Sequence, residues 1–121
     1  MTTRYVRPLT AIAFAFALTG CAGPPPPTGA LRSASDAIAR AQEDGAQQLA
    51  PSALQLAQGK LSSAQTNVAQ ENYDEAERLA EQAEVDADYA DASANAQRIS
   101  NTAGELSGAQ RQLQQRLKNS P

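Results

Sequence analysis

The chain has 121 residues, with 10 basic and 13 acidic side chains, one cysteine, and no histidine or tryptophan. This length suffices for one small domain, and the lack of histidine removes the commonest general acid–base group. Neither a nucleophile elbow nor a phosphate-binding glycine loop is present. The composition therefore argues against an enzyme and against a cofactor, and the net charge of −3 argues against nucleic-acid binding.

Residues 1–20 have the organisation of a secretory leader. Arg4 and Arg7 supply positive charge ahead of the apolar stretch 9–18. That stretch is shorter than the roughly 20 residues that a transmembrane helix needs, as in a signal peptide. It leads into a tetrapeptide that ends at the only cysteine of the chain: Leu18, Thr19, Gly20 and Cys21.

This tetrapeptide resembles the lipobox of bacterial lipoproteins. The resemblance implies that Cys21 carries diacylglycerol, that signal peptidase II cleaves before it, and that its new amine is acylated. Two or three acyl chains would hold the mature protein at a membrane, and Ala22, in place of Asp, implies the outer membrane, with the protein facing the periplasm. The alternative, a free or buried cysteine in a cytosolic protein, does not explain the position and flanking residues of Cys21.

The segment 21–29 is predicted to be a linker. Residues 24–27 are four consecutive prolines, which favour an extended polyproline II conformation that rises about 3.1 Å per residue. We interpret this segment as a semi-rigid spacer between the lipid anchor and the folded part.

Two helices are predicted over the next forty residues. The first covers about 30–44, with Gly45 as a left-handed C-cap, and its apolar stripe is Leu31, Ala34, Ile38 and Ala41. The second begins at Pro51, which is well tolerated in a first turn. Its seam is Leu54, Ala57, Leu61, Ala64 and Val68. Within it, Gly59 is either a weak point or a point of close contact.

A third helix is predicted after a turn near residue 72. Asn72 with Glu75, or Asp74 with Glu77, would cap it, and its seam is Ala76, Ala80, Ala83, Ala87, Ala90 and Ala94. The same phase is predicted to continue through Ile99, Ala103, Leu106, Leu113 and Leu117. The helix either runs unbroken for about 45 residues or is broken at Gly104 and Gly108.

These patterns predict an all-α fold, a helical hairpin or three-helix arrangement with a long C-terminal helix and alanine-rich seams. The domain would span 30–100, followed by a helical extension over 101–121. A monomer would leave the extension's stripe partly uncovered, which makes a possible interaction seam of Ile99, Leu106, Leu113 and Leu117. The stripe would serve self-association or bind another envelope protein; the alternative is a glutamine-rich frayed tail.

Charge is distributed unevenly along the third helix. Nine acids and one base, Arg78, lie between residues 71 and 91, whereas the C-terminal part is basic. Either the acids face a cationic ligand, or they and the C-terminal bases complement the helix dipole on a solvated surface. Asp86, Asp88 and Asp91 lack the glycine and the bidentate glutamate of a calcium loop. No metal site is predicted.

Two family resemblances involve the helical part. Residues 72–86 look like the second half of a tetratricopeptide repeat, but no second copy is present. The pattern over about 34–96 is similar to a family of small alanine-rich envelope lipoproteins whose shared helical domain has no assigned function. The helical seams and the lack of catalytic groups predict a non-catalytic scaffold or adaptor. The alternatives are a binding module for cell-wall or cationic ligands, a single degenerate tetratricopeptide-like protein-binding unit, and a mature chain that is disordered on its own.

Overall fold

The computed structural model describes residues 23–120, and these form helices without any strand. The helices are α1 (Thr28–Glu43), α2 (Ala46–Leu49), α3 (Pro51–Ala69) and α4 (Tyr73–Lys118). The predicted all-α class with a long C-terminal helix is confirmed. The leader, the lipobox and Cys21 lie outside the described residues.

The connection between α1 and α3 depends on one glycine. Gly45 has a φ of +86°, and its N–H donates to the carbonyl of Gln42 at 3.1 Å. The predicted left-handed glycine at the end of the first helix is therefore confirmed, since few other residues adopt this φ without strain. The single turn α2 was not predicted; it buries Ala46 before Pro51 begins α3 at the predicted position.

Alanine dominates the core. Of the fourteen buried apolar residues within 23–120, twelve are alanine, and only Ile38 and Leu54 are large. The predicted seam of α4 is confirmed in full, because six alanines have no exposed surface: Ala76, Ala80, Ala83, Ala87, Ala90 and Ala94. The distance between packed helices depends on the side chains at the contact, so a seam of methyl groups lets α1 and α3 lie close against α4.

The three long helices pack with defined directions. In α3, Ala64 clusters with Ala80 of α4, whereas Leu54 clusters further along with Ala90, so α3 and α4 are antiparallel. Pro24, which precedes α1, lies beside Tyr73 at the start of α4, so α1 and α4 are parallel. The N-terminal end of the described chain is therefore close to the N-terminal end of α4.

The turn before α4 differs from the prediction in its capping. Asn72 is the N-cap residue, but its side chain makes no capping hydrogen bond. Instead Asn72 Nδ2 donates to Gln70 Oε1 at 3.3 Å, while Glu71 takes up a positive φ of 60° in the turn. Neither predicted capping pair forms, because Glu75 accepts hydrogen bonds from Arg78 and Asp74 lies inside the helix, which begins at Tyr73.

Helix α4 is continuous from Tyr73 to Lys118, so Gly104 and Gly108 do not break it. Its last buried residue is Ala94. The 24 residues that follow extend about 36 Å past this point at 1.5 Å per residue. Gly59 in α3 has nothing within 4 Å of the position of a Cβ, so it is a weak point of the helix and not a close contact.

Candidate interaction surface

The four residues of the predicted seam on the C-terminal extension are all exposed. Ile99 and Leu106 are each 70% exposed, Leu117 is 69% exposed and Leu113 is 60% exposed. Their spacing places them along one side of α4, where the rest of the described chain does not cover them. Large apolar side chains in such a row are typical of a binding surface.

The stripe does not continue the alanine seam, and the prediction of a shared phase is wrong. Ala94, the last alanine of the seam, precedes Ile99 by five residues. At 3.6 residues per turn, five residues correspond to a rotation of about 140°. The apolar stripe therefore faces away from the side of α4 against which α1 and α3 pack.

The exposed apolar stripe of α4 begins earlier in the chain than the sequence pattern predicted. Val85 and Tyr89 are 66% and 67% exposed. From Val85 onward, ten exposed positions follow a regular 4–3 spacing and nine of them are apolar: Val85, Tyr89, Ala92, Ala96, Ile99, Ala103, Leu106, Gln110, Leu113 and Leu117. We call these ten residues the outer face.

Part of the outer face was missed because two stripes overlap in the sequence. Between residues 85 and 94, α4 carries the end of the alanine seam and the start of the outer face, so its apolar residues lie on two sides. A search for one stripe per helix finds the buried one. The available signal was the 4–3 spacing, which continues backwards from Ile99 through Ala96 and Ala92 to Tyr89 and Val85.

Two ion pairs border the outer face where it passes the helical body. Lys60 Nζ on α3 lies 2.6 Å from Asp86 Oδ2, and the two side chains are 28% and 21% exposed. Asp86 Oδ2 has no hydrogen-bond partner besides this ion pair. On the other side, Arg40 Nη2 of α1 lies 3.2 Å from Asp88 Oδ1, with both side chains 60% exposed. These pairs fix α3 and α1 on opposite flanks of α4.

A polar network joins the end of α1 to α4. Arg98 donates through Nη2 to the carbonyl oxygen of Asp44 and through Nη1 to Asn95 Oδ1 at 2.9 Å. Asn95 Nδ2 donates to Asp91 Oδ1 at 3.0 Å. Partial burial, and then the nearby carboxyl of Asp44, raise the pKa of Asp91. The guanidinium of Arg98 thus satisfies a carbonyl at the negative end of α1.

Several acids of α4 form ion pairs with basic side chains and do not gather into one site. Arg78 donates to Glu75, and this hydrogen bond lowers the pKa of the Glu75 carboxyl. Asp86 and Asp88 turn toward bases on different helices. Within residues 23–120, no group of three or more acidic, histidine or cysteine side chains is placed to hold a metal ion.

A shallow groove of about 500 Å³ adjoins the outer face at the corner between α2 and α3. Pro51, Ala53 and Leu56 line one wall, and Tyr89 and Ser93 of α4 line the other. Leu56 is 54% exposed. The groove widens the apolar surface beside Tyr89.

The fold and surface define an all-α protein whose last helix has a buried alanine seam on one side and an exposed apolar face on the other. Residues 29–106 match the family described as Domain of unknown function (DUF4398). The match covers more than half of the chain, which therefore belongs to this family. It includes α1 to α3 and ends within the outer face at Leu106. No curated protein and no solved structure matches the chain. In the part of the chain that the structure describes, no helix combines the length and apolarity needed to cross a bilayer.

Proposed function

We propose that this protein is a lipid-anchored helical adaptor of the bacterial envelope, without catalytic activity. Acyl chains on Cys21 hold it at the periplasmic side of the outer membrane. The outer face of α4 binds a protein partner, and α1 and α3 serve to support that helix.

The anchoring part of the proposal rests on the leader and its tetrapeptide. A basic start, a ten-residue apolar stretch and a single cysteine at position 21 occur in the order that lipid attachment requires. The proline segment then separates the anchor from α1, which begins at Thr28. Such a spacer gives a tethered domain access to partners beyond the lipid headgroups.

The adaptor part rests on one observation, the exposure of the outer face. A helical body with an alanine core contains few large apolar side chains. Nevertheless, six of those on α4 are at least 60% exposed: Val85, Tyr89, Ile99, Leu106, Leu113 and Leu117. A solvent-exposed face in a monomer would ordinarily be polar. Because α4 is one continuous helix, this row is suited to docking another helix.

The anchor is tested by labelling and fractionation. Cells that express the full chain are fed radiolabelled palmitate, and their membranes are separated on a density gradient. We expect label in the wild-type protein, in the outer-membrane fraction, and none in a Cys21→Ser variant, which should keep its leader uncleaved and be lost from the outer-membrane fraction. Unlabelled wild-type protein, or a Cys21→Ser variant that stays in the outer-membrane fraction, would refute the anchor.

The adaptor role is tested by photo-cross-linking in intact cells. A photoreactive amino acid at Leu106 on the outer face should trap a discrete protein adduct. The matched control is Gln115, an exposed residue of the same helix that points to the other side. No adduct at Leu106, or equal adducts at both positions, would refute a specific binding face. Retention on isolated cell walls at high salt would instead favour the cell-wall alternative.

A further inference from the structure

The regularity of the outer face limits what can cover it. Its 4–3 spacing runs from Val85 to Leu117, which is nearly five heptads and about 48 Å of helix. A sustained pattern of this length is typical of a coiled-coil seam, where each apolar side chain fits between four side chains of a facing helix. The occupant must therefore be a long helix with a complementary order of side-chain sizes and charges.

The outer face is complementary in size to itself when reversed. If two copies of α4 run antiparallel and cross at residue 101, each position i faces position 202 − i. Ala96 then faces Leu106, and Ala103 faces Ile99. In these central layers a small side chain opposes a large one, which keeps the helix axes close there, while the outermost layers pair large apolar side chains, Tyr89 with Leu113 and Val85 with Leu117. A parallel pair in register would instead set alanine against alanine and leave uneven gaps.

Charge selects the same arrangement. Five acids and no base lie between residues 81 and 91, whereas three bases and no acid lie between 111 and 118. An antiparallel pair brings each acidic end beside the other copy's basic end, and Asp88 falls beside Arg116 on the flank of the seam. A parallel pair would place acids beside acids and bases beside bases, which is unfavourable.

The helical body leaves room for this contact. Helices α1 and α3 hold the opposite side of α4 through the alanine seam, and Arg40 and Lys60 reach Asp88 and Asp86 only from the flanks. Tyr89 remains 67% exposed although it lies within the body. A second helix therefore reaches the outer face along its whole length.

We infer that the partner of the outer face is a second copy of this chain, bound as an antiparallel coiled coil of two α4 helices centred on residue 101. The inference rests on the proposed adaptor function and names its partner. This dimer buries Leu106 of both copies.

The orientation is tested with single cysteines at Ala92 and Gln110, which face each other in the antiparallel pair. Both are exposed, and the layer contains no large apolar side chain whose loss would weaken the dimer. Differently tagged full-length Ala92→Cys and Gln110→Cys proteins are co-expressed, and membranes are treated with a mild oxidant. We expect a mixed 92–110 disulfide and no disulfide between identical chains. Disulfides between identical chains would overturn the antiparallel pair. The wild-type chain, treated in the same way, measures any disulfide formed through Cys21.

The affinity is tested by sedimentation of the full chain purified in detergent. Leu106→Glu should weaken the dimer by at least about 100-fold, because it removes two buried leucines, whereas the matched Gln115→Glu should leave it unchanged. Circular dichroism of both variants verifies that the helices persist. A wild-type protein that sediments as a monomer would overturn the second copy as partner. If photo-cross-linking at Leu106 then still trapped a different protein, the adaptor proposal would hold without the dimer. If it trapped no protein, both the adaptor proposal and the dimer would be refuted.

Discussion

The alanine seam makes a quantitative prediction for Ala87→Leu. Ala87 has no exposed surface and belongs to the cluster that joins α4 to α1 and α3. A leucine adds three heavy atoms at a place where helix backbones, and not flexible side chains, set the spacing. Overpacking of this kind ordinarily costs about 1–3 kcal/mol, and we expect the upper part of that range because two interfaces must separate.

The matched control is Ala39→Leu, an exposed position of α1, where the change in stability should stay within about 0.5 kcal/mol. Urea unfolding followed by circular dichroism at 222 nm measures both variants against the wild type. For a domain of this size, a loss of about 3 kcal/mol lowers Tm by more than about 10 °C. An Ala87→Leu variant as stable as the control would show that the helices are not closely packed on the seam, and the account of the core would be refuted.

Four further substitutions test local features by the same unfolding assay. Gly59→Ala should raise the free energy of unfolding by about 1 kcal/mol because the site is open. Gly45→Ala should lower it by about 1–2 kcal/mol because the φ of Gly45 is +86°. Equal effects of the two substitutions would contradict both expectations. Lys60→Met should lose about 1–2 kcal/mol by leaving a partly buried carboxylate of α4 unpaired, and the control Arg32→Met, from an ion pair with side chains 85% and 64% exposed, should lose almost nothing. Asp91→Asn should stabilise the fold at pH 7 by about 0.5 kcal/mol or less. A carboxyl whose pKa is raised on folding contributes stability at low pH that is lost as the pH rises through the folded-state value. The difference should therefore vanish below about pH 4, and a difference that grows on acidification would contradict this.

Much of the fold could be predicted because its signals are local and periodic. Gly45 and Pro51 mark helix ends through backbone geometry alone, and the alanines of α4 recur at a spacing that only a helix can bring to one side. The capping at Asn72 could not be predicted in the same way. Whether an asparagine caps a helix or bonds within the preceding turn depends on the position of Gln70, which the turn itself determines.

The outer face was only half predicted, for a reason that lies in the helix geometry. Ile99 follows Ala94 by five residues, so the outer face lies more than a third of a turn around α4 from the alanine seam. A sequence pattern with few bulky residues hides this difference in direction. Contacts distant in sequence were also beyond reach. The pairing of Lys60 with Asp86 and of Arg98 with the Asp44 carbonyl depends on how α1 and α3 are placed on α4.

The antiparallel pair, joined to the proposed anchor, sets the spacing of the two membrane tethers. The described part of each copy begins beside the start of α4, near Asn72. From Asn72 to the crossing at residue 101 is about 44 Å of helix, so the described parts of the two copies begin about 87 Å apart. Such a pair lies flat along one membrane or joins two, whereas a parallel pair would bring both tethers together and stand upright.

Fluorescence energy transfer between copies distinguishes these arrangements. Donor and acceptor dyes attached at Asn72→Cys should show almost no transfer in the antiparallel pair, because a separation of about 87 Å exceeds the transfer distance of common dyes. Dyes at Asn101→Cys, close to the crossing, should transfer strongly and provide the control for dimer formation. Strong transfer at both positions would mean that the tethers emerge from one end, and the charge argument for an antiparallel α4 pair would then be wrong.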